Sequence, residues 1–416
     1  MLYFRLLAPS YREQLPFGIP RPQSGRTINK YLAFDLRINR NSSSRYSMAH
    51  FSRLVFLLAS TGLSLGLTTG AAAQTKDLTP KYSNEFLNIG VGGRALGMGG
   101  VQVGIVGDAT AGYWNPAGLL NQKHKYDAVL MHSELFSGIV KNDYAAFSMP
   151  LDEQSAIGAS LIRTGVDNIA DTRNLINEYG YIQYDKIQYF SVADYAVLLS
   201  YARRIAGIEG LKVGANGKVI YRNYGRFANA WGFGIDAGAQ YDKGNWRVGL
   251  MARDITTTFN SWSINADEFK GVAALNDSVP SNSTEITLPR FVLGVGRTFK
   301  LPGQLTALVA ADLEMTTDGQ RNTLVSSSAV SIDPKAGLEL GFKDLLFLRG
   351  GISNFQKMEA DQAFDGKGGW RGQPTLGVGV ALSGLRLDMA LSRLAVEKQG
   401  GSNTNSIIVS LGYGLK

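Results

Sequence analysis

Phe233–Arg253, FGIDAGAQYDKGNWRVGLMAR, decides the fold. Phe233, Ile235, Ala237, Ala239 and Tyr241 alternate with Gly234, Asp236, Gly238 and Gln240. After Asp242–Gly244, the residues Trp246, Val248, Leu250 and Ala252 alternate with Arg247, Gly249, Met251 and Arg253. Successive side chains of a strand point to opposite faces, so alternation at period two marks a strand with one apolar face and one small or polar face. The intervening Asp-Lys-Gly is a turn signal, and the stretch reads as a β-hairpin.

The same pattern recurs at 126–133, 140–149, 154–164, 192–204, 209–222, 290–299, 304–314, 335–342, 345–353, 374–382, 385–392 and 407–415. With the two strands above this makes fourteen segments of about ten residues, the span of a tilted transmembrane strand. Short turns fall at Met149–Glu153, Ile205–Ile208, Asp242–Gly244, Lys300–Gly303, Lys343–Asp344 and Ser383–Gly384. Longer polar connections lie between them, at 165–191, 223–229, 254–289, 315–334, 354–373 and 395–404. Loops sorted by parity are a property of outer-membrane barrels, and an even strand count puts both barrel ends on the short-turn, periplasmic side. Gly-rich strands also build sandwiches, propellers and solenoids. Here no repeat period is present, and the second faces carry Gly, Ser, Ala and Asp rather than the Lys and Glu of a solvated surface. The aromatics Tyr126, Tyr144, Phe147, Tyr201, Tyr221, Trp246, Phe291, Phe299, Phe342, Phe347 and Tyr413 lie near strand ends, where interfacial girdles are expected.

One segment is unlike the rest. Phe86–Leu120 holds ten glycines and ends in Trp114-Asn115-Pro116-Ala117-Gly118. Glycine permits close backbone packing, and a residue before proline is biased toward extended geometry, so a compact plug with a tight turn is expected inside the barrel. Gly97, Gly99, Gly100, Asp108, Trp114, Asn115, Pro116, Ala117 and Gly118 are its candidate site residues. The domain reading is a hatch at 74–123 and a barrel at 124–416.

Upstream, Met48–Arg53 is basic, Leu54–Leu67 is an apolar run of 14 residues and Ala71-Ala72-Ala73 precedes Gln74. This is a secretory signal peptide over 48–73, its core too short for a spanning helix. Residues 1–47, polar and Arg-rich, are read as a gene-model extension or a disordered leader. The net charge of +8 is concentrated there: residues 1–73 hold nine Lys/Arg against Glu13 and Asp35, leaving 33 basic and 32 acidic residues in the remainder. A nucleic-acid partner is excluded on that balance.

Cysteine is absent, which removes disulfides, thiolate metal sites and a cysteine nucleophile. After the leader only His124 and His132 remain, about 26 Å apart along an extended strand and unable to share a metal. Gly90-Val91-Gly92-Gly93-Arg94-Ala95 resembles a dinucleotide fingerprint but lacks the strand–turn–helix setting that such a site requires. No enzyme activity, cofactor or metal is expected. The connection YGYIQYDKIQYF at 179–190 carries Tyr179, Tyr181, Tyr184, Tyr189 and Phe190, residue types enriched at interfaces, and is the candidate partner-contact loop.

Tyr82–Gly100 together with Asp108–Leu119 resembles the PorV/PorQ family of FadL-like outer-membrane barrels, found mainly in Bacteroidetes-type bacteria. The Asn115-Pro116-Ala117 turn is similar to the element at that place in the hatch of FadL-type transporters. The resemblance implies a fourteen-stranded all-β barrel with an N-terminal hatch in the outer membrane of a Gram-negative bacterium. It further implies a role as accessory or cargo-binding component of type IX secretion. Partners would then be secretion-system proteins or the C-terminal domains of secreted cargo, docked on 165–191 and 254–289. The alternative it offers is a channel for hydrophobic small molecules. Outer-membrane lipid is a partner in both. The chain departs from many such barrels in closing on Tyr413-Gly414-Leu415-Lys416 rather than on an aromatic residue.

Overall fold

The computed structural model describes residues 83–416, apart from 178, 270–281, 359–367, 395–403 and 416. The leader and signal peptide lie outside the described residues. Fourteen antiparallel strands close into a barrel. They are β1 (Tyr126–Leu135), β2 (Val140–Pro150), β3 (Ser155–Asp171), β4 (Gln188–Arg204), β5 (Leu211–Tyr224) and β6 (Ala228–Lys243). Next come β7 (Trp246–Arg253 and Thr258–Ile264), β8 (Ser283–Thr287 and Arg290–Leu301), β9 (Leu305–Thr316) and β10 (Ser331–Phe342). The last four are β11 (Leu346–Met358), β12 (Gly369–Leu382), β13 (Leu385–Leu394) and β14 (Thr404–Leu415). Closure is made by β1 on β14, from Tyr126 opposite Leu415 to Glu134 opposite Ile407. No helix among the described residues is long and apolar enough to cross a membrane.

Alternation sorts the faces. Leu130, Phe147, Leu199, Phe233, Leu250, Leu376 and Leu411 point outward and are exposed, whereas Ser133, Ser160, Asn216, Gln240, Asp312 and Asp388 point inward and are buried. An apolar exterior around a polar interior is the inverse of a soluble sandwich and the pattern of a barrel in lipid.

Three sequence expectations are corrected. The stretch 254–289 is not one loop, because Thr258–Ile264 and Ser283–Thr287 continue the wall. Its inward residues Thr258 and Asn260 are polar and its outward ones are Phe259, Ser261 and Ser263, so apolar alternation is faint there. The connection at 165–191 shortens likewise, since β3 runs to Asp171 and β4 starts at Gln188. Tyr144 and Phe347 do not join an interfacial girdle: Tyr144 is buried against Tyr113 and Ser160 inside, and Phe347 lies on the inner face beneath Arg349.

Candidate functional site

Residues 83–121 run through the lumen as short 3-10 turns at Glu85–Asn88 and Pro116–Asn121 and single helical turns α1 (Gly93–Gly97) and α2 (Ala111–Trp114). Each turn is too short to bury its own polar backbone, so the wall must satisfy it. Ser410 Oγ accepts from Gly93 N at 2.9 Å, Asn216 Nδ2 donates to Gly112 O at 2.8 Å, and Asp312 accepts from the amides of Gln102 and Val103 at 2.9 and 3.1 Å.

Asn115 is the joint at the short-turn end of the barrel. It is fully buried; its Oδ1 accepts from Ala117 N at 3.2 Å, capping the turn that Pro116 starts, while its Nδ2 donates to Val103 O and to Ala239 O of β6, both at 3.0 Å. An amide can accept toward its own turn while donating to two carbonyls at once, which a hydroxyl with its single proton cannot. Trp114 Nε1 donates to Val91 O at 3.0 Å, folding the segment back on itself. Gly97 lies against Gly377 of β12, Gly99 and Gly100 take φ of +70° and +76°, and Gly118 abuts Val106 and Ala111.

A charged circuit fixes the hatch sideways. Arg94 pairs with Glu339 of β10 through two bonds of 2.8 and 2.9 Å. Glu339 accepts from Arg349 of β11 at 2.6 Å, and Arg349 reaches Asp388 of β13 at 2.8 Å. Asp388 pairs with Arg386 at 2.9 Å, and Arg386 returns to Asp108 of the hatch at 2.5 Å. Three cations and three carboxylates alternate and begin and end on the hatch. Burial works against the Asp108 charge, but Arg386 and the Thr110 hydroxyl outweigh it and hold the carboxyl below the usual aspartate range. A lowered folded-state pKa stabilises the seated hatch at every pH above the ordinary aspartate value, and that contribution is lost as pH falls through the lowered one. The protection factors of the amides across 108–118, which remove the intrinsic pH dependence of exchange, are therefore expected to fall as pH drops below about 4, the ordinary aspartate value; protection unchanged from about pH 5 to about pH 3 would contradict the pairing.

The first described residues of the hatch meet a fault in the wall, which sequence reading missed. β7 is broken at Asp254–Thr257, where Asp254 and Thr257 have φ of +54° and +61°, and β8 is broken at Leu288–Pro289. Pro289 cannot donate to a ladder, so the two interruptions face each other. Ser83 Oγ meets Glu285 and Thr287 at 2.5 and 2.6 Å, and Asn84, in the left-handed region, joins Thr287 at 2.7 Å and Asn260 at 3.1 Å. Glu85 then pairs with Arg290 and Arg321 at 3.1 and 2.9 Å. The hatch tip thus closes the fault from inside, leaving a recess of about 10 Å³ beside Ser83, Leu288, Pro289 and Thr316, room for one water. The dipeptide Leu288-Pro289 was the available signal.

The Tyr-rich connection divides. Tyr179, Tyr181, Tyr184 and Tyr189 are exposed, whereas Phe190 turns inward against Phe227, with ring centroids 5.0 Å apart. Among the described residues no His, Cys, Asp and Glu group could hold a metal ion. His132 sits on the outer face of β1.

No family model matches the sequence, and no curated protein does. Solved structures do match. The Ralstonia pickettii toluene transporter TbuX aligns at TM-score 0.50 and 14% identity, covering 79% of this chain and 99% of its own. The CymD monoaromatic hydrocarbon channel gives 0.49 and 13%, covering 78% and 97%. The Pseudomonas putida toluene transporter TodX gives 0.48 and 13%, with 78% and 97%. At such identity the likeness establishes the fold alone, a closed antiparallel β-barrel. The expected role in type IX secretion is corrected: the barrel that aligns at TM-score 0.50 is a toluene transporter, not a secretion component. Part of each connection meant to dock cargo is wall: 165–171 and 188–191 in one, 258–264 and 283–287 in the other.

Proposed function

We propose that the chain is a non-enzymatic, hatch-gated channel of the Gram-negative outer membrane that passes a hydrophobic small molecule. The observation that carries the reading is the hatch tip bonded into the paired breaks of β7 and β8. An apolar solute gains nothing from a lumen lined by ion pairs, because it would displace well-paired charges and leave them unsatisfied. At the fault the ladder is already open, the outer edge carries Ile255 and Phe259, and a few hydrogen bonds hold the closure. The long-loop end supplies apolar faces through the packed Phe190, Phe227 and Phe269. The toluene transporters of shared fold support the substrate class. The PorV/PorQ resemblance rests on 82–100 and 108–119 alone.

Uptake of radiolabelled toluene by a Gram-negative host expressing the chain tests this. Expression is expected to raise uptake above the empty-vector level, and Asn84→Ala, which removes the bonds to Thr287 and Asn260, to raise it several-fold further. Uptake equal to the empty vector in both, with folded barrel confirmed by heat-modifiable gel migration, would exclude the proposal.

A further inference from the structure

We infer that the outer wall of β1–β3 is an interface between two copies of this chain in the membrane. On most of the barrel the outward positions stay apolar for four or more alternations: Leu385, Leu387, Met389 and Leu391 on β13, and Tyr413, Leu411, Val409 and Ile407 on β14. On β1 the series Tyr126, Ala128, Leu130 gives way to His132 and Glu134; on β2 Phe147 and Ala145 give way to Asp143 and Lys141; on β3 Ile157, Ala159 and Leu161 give way to Arg163. His132 stands only about 15 Å above Tyr126, given a ~3.3 Å rise and ~40° tilt, inside an apolar band of about 25 Å. The upper aromatics Tyr195, Tyr221 and Trp231 of β4–β6 stand farther from the short-turn end of their strands.

These groups form one network. His132 Nδ1 is 2.6 Å from Asp143, Arg163 is 3.3 Å from Asp143 and 3.5 Å from Asp167, Lys141 is 3.0 Å from Asp167, and Glu134 is 4.0 Å from His132. Their side chains remain between 29% and 57% exposed, on a face that would otherwise meet acyl chains. Ion pairs in lipid are costly, so a cover that keeps them paired is favoured.

The pattern selects the occupant. A two-fold contact needs a self-complementary patch. Glu134 and Arg163 each lie eight residues up from the short-turn end of their strands, Tyr126 and Ser155, on opposite flanks of β2. A two-fold axis along the membrane normal through β2 therefore sets Glu134 of one copy against Arg163 of the other. The same operation sets Leu130 opposite Ala159, each four residues up, a large side chain against a small one. A phosphate-bearing lipid fits less well, because Lys141 and Arg163 are already paired with Asp143 and Asp167 and lie below the upper aromatics.

The cysteine-free chain makes the test direct. Leu130→Cys/Ala159→Cys is expressed in the outer membrane and oxidised, with Leu376→Cys/Leu411→Cys on another stretch of wall as control. Two strand spacings separate each pair within one barrel, so the Cα atoms lie at least about 9.6 Å apart, too far for an internal disulfide, which needs them within about 7 Å. A disulfide-linked dimer in at least roughly ten-fold excess over the control is expected, and Glu134→Arg should lower the dimer fraction about ten-fold by opposing Arg163 with a like charge. Heat-modifiable migration confirms folding of each variant. Cross-linking equal to the control, capture of a different protein, or a single copy per nanodisc for the native chain would each overturn the proposal, the last in favour of a locally thinned bilayer.

Discussion

Arg349→Met is expected to lower barrel stability by about 3–5 kcal/mol, the range for breaking a buried ion-pair network by removing one partner. Arg349 is 1% exposed and sits between Glu339 and Asp388. Methionine fills a similar volume, so the loss isolates charge rather than packing. With it gone, three carboxylates share two guanidinium groups in a space shielded from water, and neither Glu339 nor Asp388 can turn to solvent. Arg349→Lys keeps the charge but loses the fork that spans β10 and β13, and is expected to fall between the two. Urea unfolding followed by tryptophan fluorescence and by gel migration measures both. The hatch feels the same loss, because Arg94 and Asp108 are the two ends of that circuit. Native-like stability of Arg349→Met would show that the six groups act as separate pairs.

How much of this was legible follows from the range of each signal. The strands are local, so period-two alternation marks them, and glycine density marks the hatch. The circuit is not local: Arg94, Asp108, Glu339, Arg349, Arg386 and Asp388 come from six places in the chain and meet only through barrel closure and register. No spacing in a single sequence encodes that. The fault between β7 and β8 was hidden for another reason. There the inner face is Thr258, which bonds Asp254, and Asn260, which bonds Asn84 of the hatch, and a polar stretch of such composition reads as loop. Reading it as loop supplied a docking surface for the secretion role that the PorV/PorQ resemblance implied.

The turn at Asn115–Ala117 offers the second large effect, through the wall beneath it. A Cβ at Gly214 would lie 2.6 Å from Ala117 N and 2.7 Å from the Pro116 carbonyl carbon, closer than real contacts permit. Something must move, and β5 is poorly placed to do so: Gly214 is in register with Ala202 on one side and Gly238 on the other, inside two continuous ladders. The hatch has no ladder and must yield. Gly214→Val is therefore expected to unseat the turn at an overpacking cost of about 1–3 kcal/mol. The readout is built into the sequence, because Arg94 is the sole Lys or Arg in 83–122. Trypsin should cut after Arg94 at urea concentrations where the native protein resists and the strands remain folded. Gly217→Val is the control: Gly217 lies three residues along the same strand with nothing within 4 Å of its Cβ position, and a β-branched residue suits a strand. Equal resistance of both variants would mean that the close seat under Pro116 contributes nothing to the seal.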